Sequence, residues 1–199
     1  MKIVFVCTGN ASRSAVAEVI LRKMIQEKNL EDIEVSSCGT DVPYGQEREG
    51  IMCQIAAEHG YSMGGKAVMI TAELVNAADR IIVMTRQHKT EVIRLLDSSH
   101  IGIVSHYLTT SVSENLQTFP DPHYQSAQVY YTCFNTIEKG CREIVREIEI
   151  IEPLSPSLSC FPGVNVPGLF LGLYIILIFS SSKKFLDNCL RHFNHRDIC

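Results

Sequence analysis

The most constraining feature of this sequence is its opening, where residues 2–6 (Lys-Ile-Val-Phe-Val) run into Cys7-Thr8-Gly9-Asn10 and then into a segment with helical periodicity. A short apolar, β-branched run of that kind is the pattern of a parallel strand buried on both faces. Thr8-Gly9-Asn10 breaks it. From residue 12 to about 27, Val16, Val19, Ile20, Met24 and the Lys23 stem form an apolar stripe, and Glu18, Arg22 and Gln26 favour helix. The chain therefore begins strand, glycine turn, helix.

The alternation continues downstream. Further strands are expected at 33–37, 80–85 and 101–105, and helices at 50–59 (Gly60 as C-cap), 71–78 (Thr71 as N-cap), 87–96 and 127–148. Strands alternating with helices define an α/β fold, a doubly wound sheet of about four parallel strands flanked by helices. No internal repeat is present.

Charge divides the chain near residue 152. Residues 1–152 carry 14 Lys and Arg against 20 Asp and Glu, whereas 153–182 hold no formal charge at all. An acidic body without a basic stripe lacks the electrostatic footprint of a nucleic-acid binder, so nucleic acid is excluded as a partner. We expect one domain at 1–152 and a hydrophobic segment with a polar tail at 153–199. Three readings of that extension stay open: a disordered or non-native extension, a membrane anchor through 161–180, and a segment packed on the domain or a partner. The anchor is not favoured, because Pro162, Gly163, Pro167, Gly168 and Gly172 interrupt a run that barely reaches the roughly 20 residues of a spanning helix. It would also carry Lys183, Lys184, Arg191 and Arg196 to the outer side.

The eight cysteines do not make a disulfide scaffold. The opening lacks an export-signal pattern, so the expectation is a reducing cytoplasm, and no two cysteines have zinc-knuckle spacing.

One cysteine is placed for chemistry. Cys7 and Arg13 bracket five residues where a buried strand turns into a helix, so successive backbone N–H groups and the positive end of a helix dipole converge there. That cradle, formed by Thr8, Gly9, Asn10, Ala11, Ser12 and Ser14, suits a phosphate dianion, with Arg13 as a bidentate clamp. The same groups favour a thiolate at Cys7, and a thiolate facing a bound phosphoryl group is an in-line nucleophile that yields a cysteinyl-phosphate. The Cys-x5-Arg spacing is weak by itself; the strand–glycine–helix context strengthens it. No Gly-Lys-Ser/Thr is present, so the turn is not a nucleotide cradle of the Walker type.

Cys7, Gly9, Asn10, Arg13, Ser14, Ala17 and Glu18 match the signature Cys-x-Gly-Asn-x-x-Arg-Ser followed by Ala-Glu, and about 110 residues later stands Phe119-Pro120-Asp121-Pro122-His123-Tyr124. On these two motifs the chain resembles a low-molecular-weight protein tyrosine phosphatase over residues 1 to about 150. The resemblance implies that a phosphorylated protein is the substrate and that no metal or cofactor is required. It also implies that Cys7 is the nucleophile, Arg13 the phosphate and transition-state clamp, and Asp121 the general acid and then base. Asn10, Ser14 and Ser37 would hold the loop's shape, with Ser14 donating to the thiolate, and His123 and Tyr124 would wall the substrate ring. Without the resemblance, Asp121-Pro122 reads as a plain turn.

The pattern also departs from the family. Ser12 stands where a second cysteine is often found, so Cys7 is expected to oxidise without local protection. Cys7-Thr8-Gly9-Asn10 and Met84-Thr85-Arg86-Gln87-His88-Lys89 resemble the protein arginine phosphatase branch, yet Ala11 replaces the threonine of that branch and His123-Tyr124 resembles the aromatic wall of tyrosine phosphatases. Phosphotyrosine is therefore the main reading and phosphoarginine the alternative. A catalytically inactive phosphopeptide-binding module is a further alternative. A thiol-linked arsenate reductase is disfavoured because no cysteine lies between Cys53 and Cys133. The stretch Gly65-Lys66-Ala67-Val68-Met69 replaces a His-x-Ala-Arg-like stretch of the family and has no explanation at this level.

Overall fold

The computed structural model describes residues 1–48, 50–97, 104–106 and 121–151. The expected extension at 153–199 lies outside the described residues. Four parallel strands, β1 (Lys2–Cys7), β2 (Glu34–Gly39), β3 (Arg80–Val83) and β4 (Val104–His106), pair in the order β2-β1-β3-β4. Between and after them come α1 (Arg13–Glu27), α2 (Ile51–Glu58), α3 (Ala72–Asn76), α4 (Arg86–Leu95) and α5 (Ala127–Ile151).

The central position of β1 explains its unbroken apolar run. Ile3, Phe5 and Cys7 enter one core with Val16, Ala17, Ile20, Leu21 and Ile25 of α1, Met52 and Ile55 of α2 and Phe134, Ile137, Cys141 and Ile144 of α5. Val4 and Val6 enter a second core with Val75 of α3, Ile81 and Val83 of β3, Val92 of α4 and Val104 of β4. Alternate residues thus serve opposite faces, as the pleat requires, and helices cover both. This is the doubly wound α/β sheet expected from the alternation.

The elements differ from expectation mainly at their ends. β2 runs two residues further, to Gly39, and β3 stops at Val83 because Thr85 leaves the sheet to cap α4, its hydroxyl accepting from the His88 N–H at 3.2 Å. Thr71 caps α3 as expected, accepting from Leu74 N–H, although that helix ends at Asn76. β4 is described over Val104–His106, and residues 101–103 of the expected strand lie outside the described residues. On α1, Leu21 and Ile25 are core residues that the sequence stripe left out, while Val19 and Met24 sit at its margin. Among the described residues no helix is long and apolar enough to cross a membrane.

The register places the end of β1 where the site forms. Cys7 is level with Gly39 of β2, and Val6 is level with both Cys38 and Val83. The turn after β1 therefore stands at the carboxyl edge of the sheet, beside the reversal of strand order between β1 and β3, the usual position for a ligand in an open parallel sheet.

Candidate active site

The turn from β1 to α1 closes around Asn10, whose φ of 50° puts it in the left-handed region that asparagine tolerates better than most residues. Gly39 lets the neighbouring strand approach, since a Cβ there would lie 2.3 Å from the Thr8 carbonyl oxygen and 2.8 Å from the Asn10 nitrogen. Thr40 N–H and Asp41 N–H donate to the Cys7 and Thr8 carbonyls at 2.9 and 3.0 Å, fastening the turn to the chain after β2. Ser12 is the N-cap of α1 and makes no side-chain capping bond.

A cleft of about 260 Å³ opens over this turn, lined by Cys7, Thr8, Gly9, Ala11, Ser12 and Arg13 and closed by Asp41, Pro43, Gln46, Asp121 and His123. The expected cradle residues thus meet with two exceptions. Asn10 and Ser14 are fully buried behind the cleft. Their side chains cannot touch a ligand, because the turn points them into the protein, where they hold the loop.

Asp121, 108 positions beyond Arg13 in the chain, reaches the same cleft from the segment ahead of α5 and forms an ion pair with the Arg13 guanidinium. Arg13 is 4% exposed and Asp121 about half exposed, so the arginine is the fixed partner and the carboxylate the accessible one. Arg13 Nη2 also donates to Thr8 Oγ1 at 3.3 Å. The Asp121 Oδ1 accepts from His123 N–H at 3.1 Å, an Asx turn that orients the carboxylate. His123 lines the cleft. Tyr124, expected beside it as a wall, packs on the His123 ring at 3.8 Å between centroids but is almost wholly exposed and lies outside the lining, because its φ of 60° turns it outward.

Behind the cleft runs a chain of hydrogen bonds. Ser14 Oγ lies 2.9 Å from Cys7 Sγ; Asn10 Nδ2 donates to Ser14 Oγ at 2.9 Å and to Ser37 Oγ at 2.7 Å; Ser37 Oγ donates to Glu18 Oε2 at 2.5 Å. Ser37 is thus part of the supporting layer, as the resemblance implied. The unexplained stretch 65–69 has a place here. Val68 N–H donates to Asn10 Oδ1 at 2.8 Å, Val68 O accepts from Gly39 N–H, and Ile70 N–H donates to Gly39 O, so its backbone buttresses the turn.

The sequence assigns no role to two residues here, Arg48 and, although it stands in the stretch 84–89, His88. His88 on α4 is 3% exposed and has Nε2 3.0 Å from Thr8 Oγ1. Burial, and then the Arg13 cation, push its pKa down to about 4, so it is neutral at ordinary pH. Arg48 donates to Glu18, Asn10 and Ser37 at 2.6–3.2 Å. Periodicity could not mark either, because each acts across tens of residues.

The cysteines separate by environment. Burial pushes the Cys38 and Cys133 thiols up to about 12, which keeps them protonated, and neither lines the cleft. Among the described residues, no group of three or more His, Cys, Asp or Glu side chains is placed to hold a metal ion.

A parallel sheet that brings a thiol, a buried arginine and a helix N-terminus together at the end of its central strand is the architecture of a protein that handles phosphoryl groups. The family model of the low molecular weight phosphotyrosine protein phosphatases matches residues 2–151, and the chain belongs to that family, and so to the phosphoric monoester hydrolases. An Escherichia coli K12 relative, a low molecular weight protein-tyrosine-phosphatase, is 26% identical over 149 residues, covering 73% of this chain and 93% of the relative. A Bacillus subtilis protein-arginine-phosphatase is also 26% identical, over 152 residues, covering 75% of this chain and 97% of the relative. The crystal structure of a Vibrio cholerae low molecular weight phosphotyrosine phosphatase superposes with a TM-score of 0.69 at 26% identity, covering 75% of this chain and 97% of that one.

Proposed function

We propose that the protein hydrolyses phosphotyrosine in phosphorylated proteins through a cysteinyl-phosphate, with the catalytic unit in residues 1–152. The observation that carries this reading is the convergence of Cys7, Arg13 and Asp121 on one cleft. Arg13 and the backbone N–H groups of residues 8–13 bind the phosphoryl oxygens and meet the charge that builds on them in the transition state. The Cys7 thiolate attacks phosphorus in line; the S–P bond forms as the P–O bond to the tyrosine ring breaks. Asp121, in its acid form, gives its proton to the departing phenoxide, and tyrosine leaves. The Asp121 carboxylate then takes a proton from water, the oxygen of which attacks phosphorus, and the S–P bond breaks to return the thiolate and inorganic phosphate.

Ser14 supports the first step by donating to Cys7, and Ser37 and Asn10 support Ser14. His123 flanks the substrate ring. A second reading, phosphoarginine, is kept because the Bacillus subtilis arginine phosphatase is as similar in sequence as the tyrosine phosphatase.

Phosphate release from a phosphotyrosine peptide and from an arginine-phosphorylated protein, measured side by side, tests both. The expected result is release from phosphotyrosine that is abolished in Cys7→Ser and strongly reduced in Asp121→Asn. Preference for phosphoarginine would replace the substrate assignment. Binding of phosphopeptide with no release from either substrate would overturn the enzymatic reading in favour of a binding module.

A further inference from the structure

Arg48 lies on the segment between β2 and α2 and has no place in the motifs that mark the site. Its side chain is nevertheless 9% exposed, as is that of Glu18, with which it pairs at 3.2 Å. Its backbone is held by the bond from Arg48 N–H to Gly65 O at 2.7 Å, and the Cys53 thiol donates to Arg48 O at 3.1 Å. An arginine buried with this many partners costs desolvation and side-chain entropy, and its position is fixed.

The bonds it makes bear on the direction of the hydrogen bonds that run from Asn10 to Ser14 and Ser37. Arg48 Nη2 donates to Asn10 Oδ1 at 2.6 Å, and Val68 N–H donates to the same oxygen at 2.8 Å. With its oxygen claimed by two donors, the Asn10 amide can present only its NH2 to the other side, and there it donates to both Ser14 Oγ and Ser37 Oγ. Ser37 receives a further donation from Arg48 Nη2 at 3.2 Å and sends its own proton to Glu18. Ser14, having accepted from Asn10, has one proton left to give. The acceptors within reach are Cys7 Sγ at 2.9 Å and the Cys38 carbonyl at 3.2 Å, and a thiolate is the stronger acceptor of the two.

We propose that Arg48 is a positioning residue of the active site: through Asn10 it fixes Ser14 as a donor to Cys7 Sγ, and so favours the thiolate of Cys7 from behind while Arg13 favours it from the cleft. The proposal rests on the reading of Cys7 as the nucleophile. In chains of this kind each bond polarises the next, which lets a guanidinium two side chains away act on a sulfur it does not touch. The charged and titratable groups around Cys7 among the described residues are Arg13 and Glu18 on α1, Asp41 after β2, Asp121 and His123 ahead of α5, Cys133 on α5, Cys38 on β2 and, through Thr8, His88 on α4. All of them are kept in the variants below.

The test measures the pH profile of iodoacetamide alkylation at Cys7 in the full chain, with the modified cysteine located by peptide mass spectrometry. Arg48→Met is expected to move the midpoint of the profile upward by about one pH unit, the lower end of what a neighbouring charge does. Its kcat for a phosphotyrosine peptide is expected to fall by about tenfold, with KM little changed, because the cleft side of the phosphate site is intact. Arg48→Lys keeps the charge but loses the planar fork that reaches Glu18 and Asn10 through separate nitrogens, and should recover part of the shift. In a Ser14→Ala background Arg48→Met should add no further shift, since the link to sulfur is already cut.

An unmoved midpoint in Arg48→Met, alongside a lower melting temperature, would reduce Arg48 to a structural ion pair and overturn the proposal. An equal shift with and without Ser14 would overturn the route through Asn10. Should Arg48→Met fail to fold, the comparison of Arg48→Lys with wild type, each with and without Ser14→Ala, decides in the same way. Alkylation needs no turnover, so a moved midpoint in a protein that releases no phosphate would sustain this proposal and refute the phosphatase reading instead.

Discussion

Lowering the pH from 7 to 5 is expected to remove about 2 kcal/mol of folding stability through His88 alone. An ordinary histidine titrates at 6.5, whereas burial and the nearby Arg13 cation bring His88 down to about 4. Between those values the unfolded chain takes up a proton that the folded protein refuses, so acid favours the unfolded state. The contribution is fully present above 6.5, is lost as the pH falls through the window, and is exhausted near pH 4. At about 1.4 kcal/mol per unit of separation the full loss approaches roughly 3 kcal/mol, most of it incurred by pH 5. Carboxylates and other histidines titrate in the same range, so the measurement has to be a difference. Urea unfolding of wild type and His88→Gln at half-unit steps from pH 7 to pH 4.5 supplies it, since glutamine keeps an N–H able to reach Thr8 Oγ1 and does not titrate. Wild type should lose about 2 kcal/mol more than the variant between pH 7 and pH 5. Parallel curves for the two proteins would refute the claim that His88 is held neutral by its surroundings.

Two further substitutions probe the parts that carry the site. Gly39→Ala places a methyl group 2.3 Å from a backbone carbonyl and 2.8 Å from the Asn10 nitrogen, atoms that cannot swing aside, so the Cys7 turn must shift; phosphate release should fall by about 100-fold, and unchanged kinetics would show that the approach is looser than described. Phe134 of α5 is fully buried, with its ring against His59 at 4.4 Å and Tyr61 at 5.9 Å. Phe134→Ala is expected to cost about 3–5 kcal/mol in chemical denaturation, and a cost below about 1 kcal/mol would place that ring outside the core.

The parts of the fold that were legible are those where one local pattern meets one environment. β1 and β3 are apolar after their first residues, Lys2 and Arg80, because both of their faces are covered, so composition marks them. Thr71 and Thr85 show how local chemistry sets boundaries: the sequence marks the first as a cap, whereas the second reads as strand because Ile-Ile-Val-Met continues straight into it, and it caps α4 instead. In α1 the sequence stripe was displaced toward Val19 and Met24, since the helix meets β1 on one side and α5 on another and buries a wider arc than one stripe.

The catalytic candidates divide the same way. Cys7 and Arg13 share one turn, so their spacing and the strand–helix context sufficed to place both in the cleft. Asp121 was placed by resemblance, and the ion pair with Arg13 across 108 positions is a product of the fold. Asn10 and Ser14 are expected both in the phosphate cradle, from spacing, and as holders of the loop's shape, from the resemblance; both side chains are buried behind the cleft, in the second role, which no spacing rule conveys.

What the sequence determined by itself was the alternation of strand and helix, the thiol-bearing turn and the absence of a basic stripe, because each depends on residues near one another in the chain or on composition. What the tertiary structure alone decided was the environment of that thiol. Arg48 meets Asn10 across 38 positions and His88 meets Thr8 across 80. Both contacts exist because the parallel sheet returns each strand's carboxyl end to the same edge, where a buried charge or a buried imbalance of donors acts at full strength in a low dielectric.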